Sequence, residues 1–215
     1  MSTVAIDFNA AVMLTGVSWA DYERTRANPT NRNLRMTYFK GTLEIMSPSH
    51  RHGWISVLIG RLIDEWTVAR RIPIHSGRAT TFKRIEAESG LEPGNCYYIQ
   101  QEPRVRFRHE IDLDCDPPPD LAIEVEITNR VTPRLPVYAE LGVSEIWRWH
   151  KEELTILRLE TGGVYHAIAA SEVLPGFPIE LAREILLRRE STPETELILE
   201  FRTRISRDSG SAATD

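Results

Sequence analysis

Apolar positions along this chain recur at two spacings, every second residue and every three to four, the periods of strand and helix. Ile55, Leu58, Ile59, Leu62 and Trp66 keep the helical spacing and predict a helix over roughly 51–69. Before it, RMTYFKGTLEIM predicts a hairpin turning at Lys40-Gly41, and SPSH breaks the second strand. Ser18 is placed to cap a short helix, SWADYERTRA, with the polar loop NPTNRN behind it. TTFKR and CYYIQ predict short strands, separated by the loop EAESGLEPGN. RVRFRHEIDLDCD is strongly charged and reads as a long strand or loop excursion.

In the stretch PPPDLAIEVEIT, residues 117–128, the two-residue period is clearest. Leu121, Ile123, Val125 and Ile127 fall on one face, and Asp120, Glu124 and Glu126 on the other with Ala122. Thr132-Pro133 then suits the start of a helix, PRLPVYAEL, which stops at Gly142. SEIWRWH and LTILRLE pair as a hairpin around Lys151-Glu152, and a further helix is expected over 193–205. Helices interleaved with strands predict an α/β protein with a mixed sheet flanked by helices. The chain divides into a flexible lead (1–16), a single domain (17–206) and a small, polar, disordered tail (207–215).

Composition narrows the picture. A chain of 215 residues, 41% hydrophobic, can bury one sizeable core. The formal net charge of −5 excludes a polyanion binder held by bulk charge, so any nucleic-acid contact needs a local basic patch. Cys96 and Cys115 supply no disulfide framework and fit a reducing, cytoplasmic setting. The stretch AAVML is too short to span a bilayer, and no basic segment marks a signal peptide.

The acidic strand face raises a chemical question. Glu124 and Glu126 lie two residues apart, about 6 to 7 Å along a strand, and would repel each other when ionised. A divalent cation such as Mg²⁺ resolves this, because it takes one or two carboxylates and keeps its waters. A basic side chain resolves it too, and a solvated face needs no resolution. The prolines before the strand and its apolar second face indicate a central strand, with Glu124 facing a cleft bounded by the helix at 51–69. Other candidates are fewer. His50 and His52 fit no zinc spacing and read as surface residues or substrate contacts. Asp112, Asp114 and Asp116 alternate as a solvated run would. Arg104, Arg106 and Arg108 also alternate, giving either plain surface charge or a stripe that tracks phosphates.

Four blocks carry a family resemblance: GTLEIMSPSHRHGWI, LEPGNCYYIQ, PPPDLAIEVEIT and RLPVYAELGVSEIWRW. In this order, over about residues 17–160, they resemble the Uma-two family of putative restriction endonucleases, within the PD-(D/E)XK nuclease superfamily. The resemblance implies a restriction-endonuclease-like fold, a mixed central sheet flanked by helices with an N-terminal β-hairpin extension. It implies a hydrolase that cuts DNA phosphodiesters with Mg²⁺ or Mn²⁺; a homodimer is expected besides. Carried over, Glu124 is the acid of the central strand and Glu126 stands where the Lys would ordinarily fall; with Asp120, on the same face, as substitute for the family's first Asp, these three are the expected metal ligands. Glu124, Glu126 and Arg134 are the expected catalytic set; apart from the resemblance, the alternating Arg104, Arg106 and Arg108, with His52, are the expected DNA contacts. The chain departs from the pattern at three points. Gly94 stands where the family has its first metal-binding Asp, Arg134 stands where its Lys has migrated to the helix, and Gly53 follows His52. Arginine stays protonated and cannot replace lysine in proton transfer. Two expectations follow: a Mg²⁺-dependent endonuclease weakened at Gly94 and Arg134, or an inactive DNA-binding or regulatory relative in which Arg134 pairs with Glu124. A scaffold that only self-associates is the third.

Overall fold

The computed structural model of the protein describes residues 11–47, 49–77, 80–126 and 134–211, with side chains through 207. Strand β1 (Ala11–Thr15) opens it, followed by helix α1 (Trp19–Ala27), with the Ser18 hydroxyl accepting from the Asp21 amide as its cap. β2 (Arg35–Phe39) and β3 (Thr42–Met46) form the expected hairpin. Lys40 and Gly41 both take positive φ, 45° and 86°, the two-residue turn whose twist matches its strands. β5 (Phe82–Arg84) and β6 (Ser89–Leu91) complete an antiparallel sheet of order β1-β3-β2-β6-β5, after the short β4 (His75–Ser76), which belongs elsewhere.

The second sheet is the central one. Its order is β11-β10-β9-β8-β7-β4, from β7 (Asn95–Tyr98), β8 (Leu121–Glu126), β9 (Glu145–His150), β10 (Glu153–Glu160) and β11 (Val164–Ile168). Only β8 and β9 run parallel, and α4 (Arg134–Leu141) lies between them in the chain. The sheet is therefore mixed and flanked by helices, with the N-terminal hairpin in a sheet of its own. Helix α2 (His50–Arg70) carries the expected stripe and packs it on the apolar face of β8. α5 (Ile179–Leu187) and α6 (Glu194–Ser211) close the same core. Leu121, Ile123 and Val125 are buried there, each contributing about 1.5–3 kcal/mol. The opposite face carries Ala122 and packs with Val137, Tyr138 and Leu141 of α4 and with Phe82 and Leu91 of the first sheet. α4 thus sits between the sheets, anchored where Arg84 donates to the Glu140 carbonyl at 3.0 Å.

Several expectations are corrected. Residues 11–15, expected within a flexible lead, form an edge strand on β3. Helix α6 continues to Ser211, past the boundary expected at 206. β6 forms inside the stretch expected as a loop, because Thr37–Phe39 offers it a free edge. Of the two readings of the charged excursion, the loop holds and the strand does not: the short helix α3 (Glu102–Val105) ends at its start and turns and coil follow. Ile127 and the cap at Thr132-Pro133 lie outside the described residues.

Candidate functional site

β8 is an interior strand, and its alternation sends Glu124 away from α2 towards α4. The cleft expected against the helix at 51–69 is therefore not where Glu124 points: period two puts the carboxylate opposite the apolar face that α2 covers. Glu124 is 1% exposed. The Tyr138 hydroxyl donates to its Oε2 at 2.7 Å, and Arg134 Nε lies 3.3 Å from the same oxygen. Arg134 and Tyr138 are four residues apart on α4, hence on one helix face. Arg134, 4% exposed, also donates through Nη2 to the Glu92 carbonyl at 2.5 Å. The guanidinium so ties the carboxylate of β8 to the chain entering β7. Burial opposes its charge, but Glu124, Tyr138 and Glu44 more than offset this and hold it above its ordinary value.

Around this pair stand Glu44 on β3, Arg35 on β2 and Glu92 before β7. Burial pulls Arg35 below its ordinary value, and the charge of Arg134 adds to that. Burial raises Glu92, against the opposing pull of Arg26 and a Thr81 hydrogen bond. Arg26 Nε lies 2.5 Å from Glu92 Oε1, and Thr81 donates to the same oxygen at 3.2 Å.

The other expected ligands are apart. Asp120 Oδ2 accepts from the amides of Ile99 at 2.6 Å and Gln101 at 3.0 Å, which fastens the turn from β7 to α3. It is four strand positions from Glu124, about 13 Å, too far to share one ion. Glu126 is half-buried, its Oε2 3.4 Å from Nδ1 of His150, its register partner on β9. Gly94 donates its N–H to the Ile123 carbonyl at 3.2 Å. A β-carbon added there would lie 2.9 Å from that carbonyl oxygen and 2.9 Å from Ser56 Oγ. The position of the missing Asp is thus packed shut against β8. Among the described residues no group of three or more His, Cys, Asp or Glu side chains is placed to hold a metal. The described residues do not fit a divalent cation at Glu124, because a guanidinium and a phenol already hold its Oε2 and no group of acids is placed beside it.

The expected DNA contacts are also rearranged. His52 is buried in the first turn of α2 and is not a surface residue. Arg106 forks onto Glu102 at 2.7 and 2.6 Å, because a helix sets residues four apart side by side. Arg108 Nε lies 3.5 Å from Asp116, and Arg104 donates to Gln101 at 3.3 Å. Each of the three is engaged by a different neighbour. They also follow β7, whereas Gly94, near Glu124, precedes it. Tyr138, Arg35, Glu44 and Ser56 were not singled out from the sequence. Tyr138 was within reach as the i+4 neighbour of Arg134; the others come from distant segments and carry no local signal.

A mixed sheet with a carboxylate on its inner strand, facing the helix that follows, defines a protein of the restriction-endonuclease-like class. The profile of the Uma2 family, described as "Putative restriction endonuclease", matches residues 19–186. The chain belongs to the Uma2 family. No match is found among curated proteins. No helix among the described residues is long and apolar enough to cross a membrane.

Proposed function

We propose that this protein is a DNA-binding member of the Uma2 family in which metal-dependent phosphodiester cleavage is silenced. The observation that carries the reading is the buried contact of Arg134 with Glu124, where the family's metal would sit. Breaking a buried ion pair to admit Mg²⁺ would cost about 3–5 kcal/mol before any ligand bond forms. Gly94 offers no replacement oxygen, and Arg134 cannot accept a proton. DNA is the partner because the family is named for endonucleases. The protein works in the cytoplasm, in keeping with Cys96 and Cys115, both free thiols. It acts as a homodimer, and a monomer by light scattering overturns that part.

The test is plasmid nicking with Mg²⁺ or Mn²⁺, beside calorimetric titration of each ion and a mobility-shift assay on duplex DNA. DNA binding without cleavage, unaltered by Glu124→Gln, is the expected result. Efficient cutting that Glu124→Gln abolishes overturns silencing. It establishes the second reading, a weakened Mg²⁺-dependent endonuclease with Glu124 and Glu126 as ligands and Asp120 as a distant helper. One observation favours that reading: an open cavity of about 280 Å³ adjoins Glu92 and Gly94, with room for a reacting phosphate.

A further inference from the structure

The outer edges of the two sheets are not protected alike. An edge strand offers a row of free N–H and C=O groups, and proteins blunt it with charge, proline or brevity. β4 is only two residues long. β5 carries Lys83 and Arg84. β11, at the opposite end of the central sheet from β4, has none of these defences. Its five residues, VYHAI, include no lysine, arginine, acid or proline. It pairs with β10 along one side, and among the described residues no backbone hydrogen bond reaches its other side. Val164 is 55% exposed and Ala167 is exposed too, so apolar side chains flank the open edge. The strand is nonetheless firmly placed: the Tyr165 hydroxyl donates to the Val143 carbonyl, and Ile168 packs on the core beneath α2. An edge already held in shape loses little freedom when a partner binds.

The residues of the edge select its partner. Another strand satisfies a row of alternating N–H and C=O groups, and the strand's own copy fits this one. Paired residues must share a face, so two antiparallel copies of β11 about a two-fold axis overlap fully in one register. That register sets Val164 opposite the second copy's Ile168, Tyr165 opposite its Ala167, and His166 opposite its counterpart on the axis. A slip of two residues shortens the overlap to three. In full register two apolar pairs, each made twice, cover the exposed side chains, and no permanently charged group meets another. We propose that a second copy of this chain docks on β11, edge to edge and antiparallel, joining two six-stranded sheets into one. The inference rests on the homodimer of the reading above and gives it an interface, independent of DNA binding and of the Glu124 site. Five residues a side are far fewer than the about 20 of a standard interface, so the association is weak and concentration-dependent.

The test is sedimentation velocity on the full chain from about 1 to about 500 μM, on wild type, Val164→Lys and Ala167→Lys, followed by oxidative cross-linking. Both positions are exposed, so the variants should fold, as circular dichroism checks. A dimer that grows with concentration is expected, and each lysine, entering the seam twice by symmetry, should weaken it about tenfold. Residues directly opposite in an antiparallel pair stand about 4.5–5.5 Å apart at Cα, within disulfide reach. In a Cys115→Ser background, which removes the exposed native thiol, His166→Cys should therefore form a covalent dimer much faster than His109→Cys on an exposed loop. A dimer that both lysines leave unchanged, with His166→Cys no faster than His109→Cys, overturns the β11 interface and leaves the homodimer standing on another face. A seam that lysine breaks but that does not cross-link at His166 overturns the register. A monomer at every concentration, with no preferential cross-link, overturns the interface and the homodimer together. The DNA reading is decided separately, by the mobility-shift assay.

Discussion

Two adjacent parallel strands each bury a glutamate at 1% exposure, and the two are held in opposite ways. Glu145, at the start of β9, is met by neutral donors. The Trp147 indole and the Ser171 hydroxyl both donate to Oε1 at 2.6 Å. The Glu172 amide donates to Oε2 at 2.9 Å and the Val173 amide at 3.4 Å. Those donors lie on β9 itself and on the segment ahead of α5, so the carboxylate clips that segment to the sheet. Glu124, one strand over, faces a cation and a phenol from α4. Burial is thus no sign of function; the kind of partner is. Neutral donors make a structural clip, whereas Glu124 is held by a guanidinium and a phenol from the helix that follows its strand.

The largest expected effect breaks the Glu124 side. Arg134→Ala removes the guanidinium 3.3 Å from a buried carboxylate and should lower stability by about 3–5 kcal/mol in urea denaturation. Pairing Arg134→Met with Glu124→Leu should recover most of that loss, because both charges leave together. A double variant no more stable than the single one would show that the ion pair does not govern this region. Next comes Glu145→Leu, which strands four donors and should cost about 3 kcal/mol while leaving DNA binding unchanged. A loss of binding at preserved stability would erase the contrast between the two acids.

Gly94→Ala sharpens the comparison from the other strand. Its β-carbon would press on the Ile123 carbonyl, so thermal denaturation should show a loss of about 1–3 kcal/mol. The motif-restoring pair Gly94→Asp with Arg134→Lys is therefore not a local repair. It has to move β8 before it can supply a ligand, and loss of stability should precede any gain of Mg²⁺-dependent nicking. The smallest effect belongs to a surface acid. Arg202 forks onto Glu65 at 2.6 and 2.7 Å, and that hydrogen bond holds the carboxyl below its ordinary value of 4.5. Its contribution is complete above pH 4.5 and fades as pH falls through the lowered folded value. With Arg202 more than half exposed, it stays under about 1 kcal/mol, and Glu65→Gln should flatten the acid side of the stability profile only slightly.

Local pattern alone determined a good deal of this protein. The alternation in LAIEVE already makes β8 a strand with one acidic face. The spacing of Ile55, Leu58, Ile59, Leu62 and Trp66 makes α2. Lys40-Gly41 and Lys151-Glu152 mark two hairpin turns, and all four residues do take positive φ. These features are legible because hydrophobic period and turn chemistry act within a few residues. The family blocks likewise pointed to Glu124 and Arg134. Tertiary structure decided the rest. It turned Glu124 towards α4, gave Asp120 to two amides, buried His52 and folded the arginine run into a helix and turns. It also brought Arg35 and Glu44 from the first sheet and Ser56 from α2 to the neighbourhood of Glu124 and Gly94. A strand's period says which residues share a face, but the partner across that face comes from distant segments. For a buried charge that partner decides the chemistry, because in a low dielectric an acid is defined by what neutralises it.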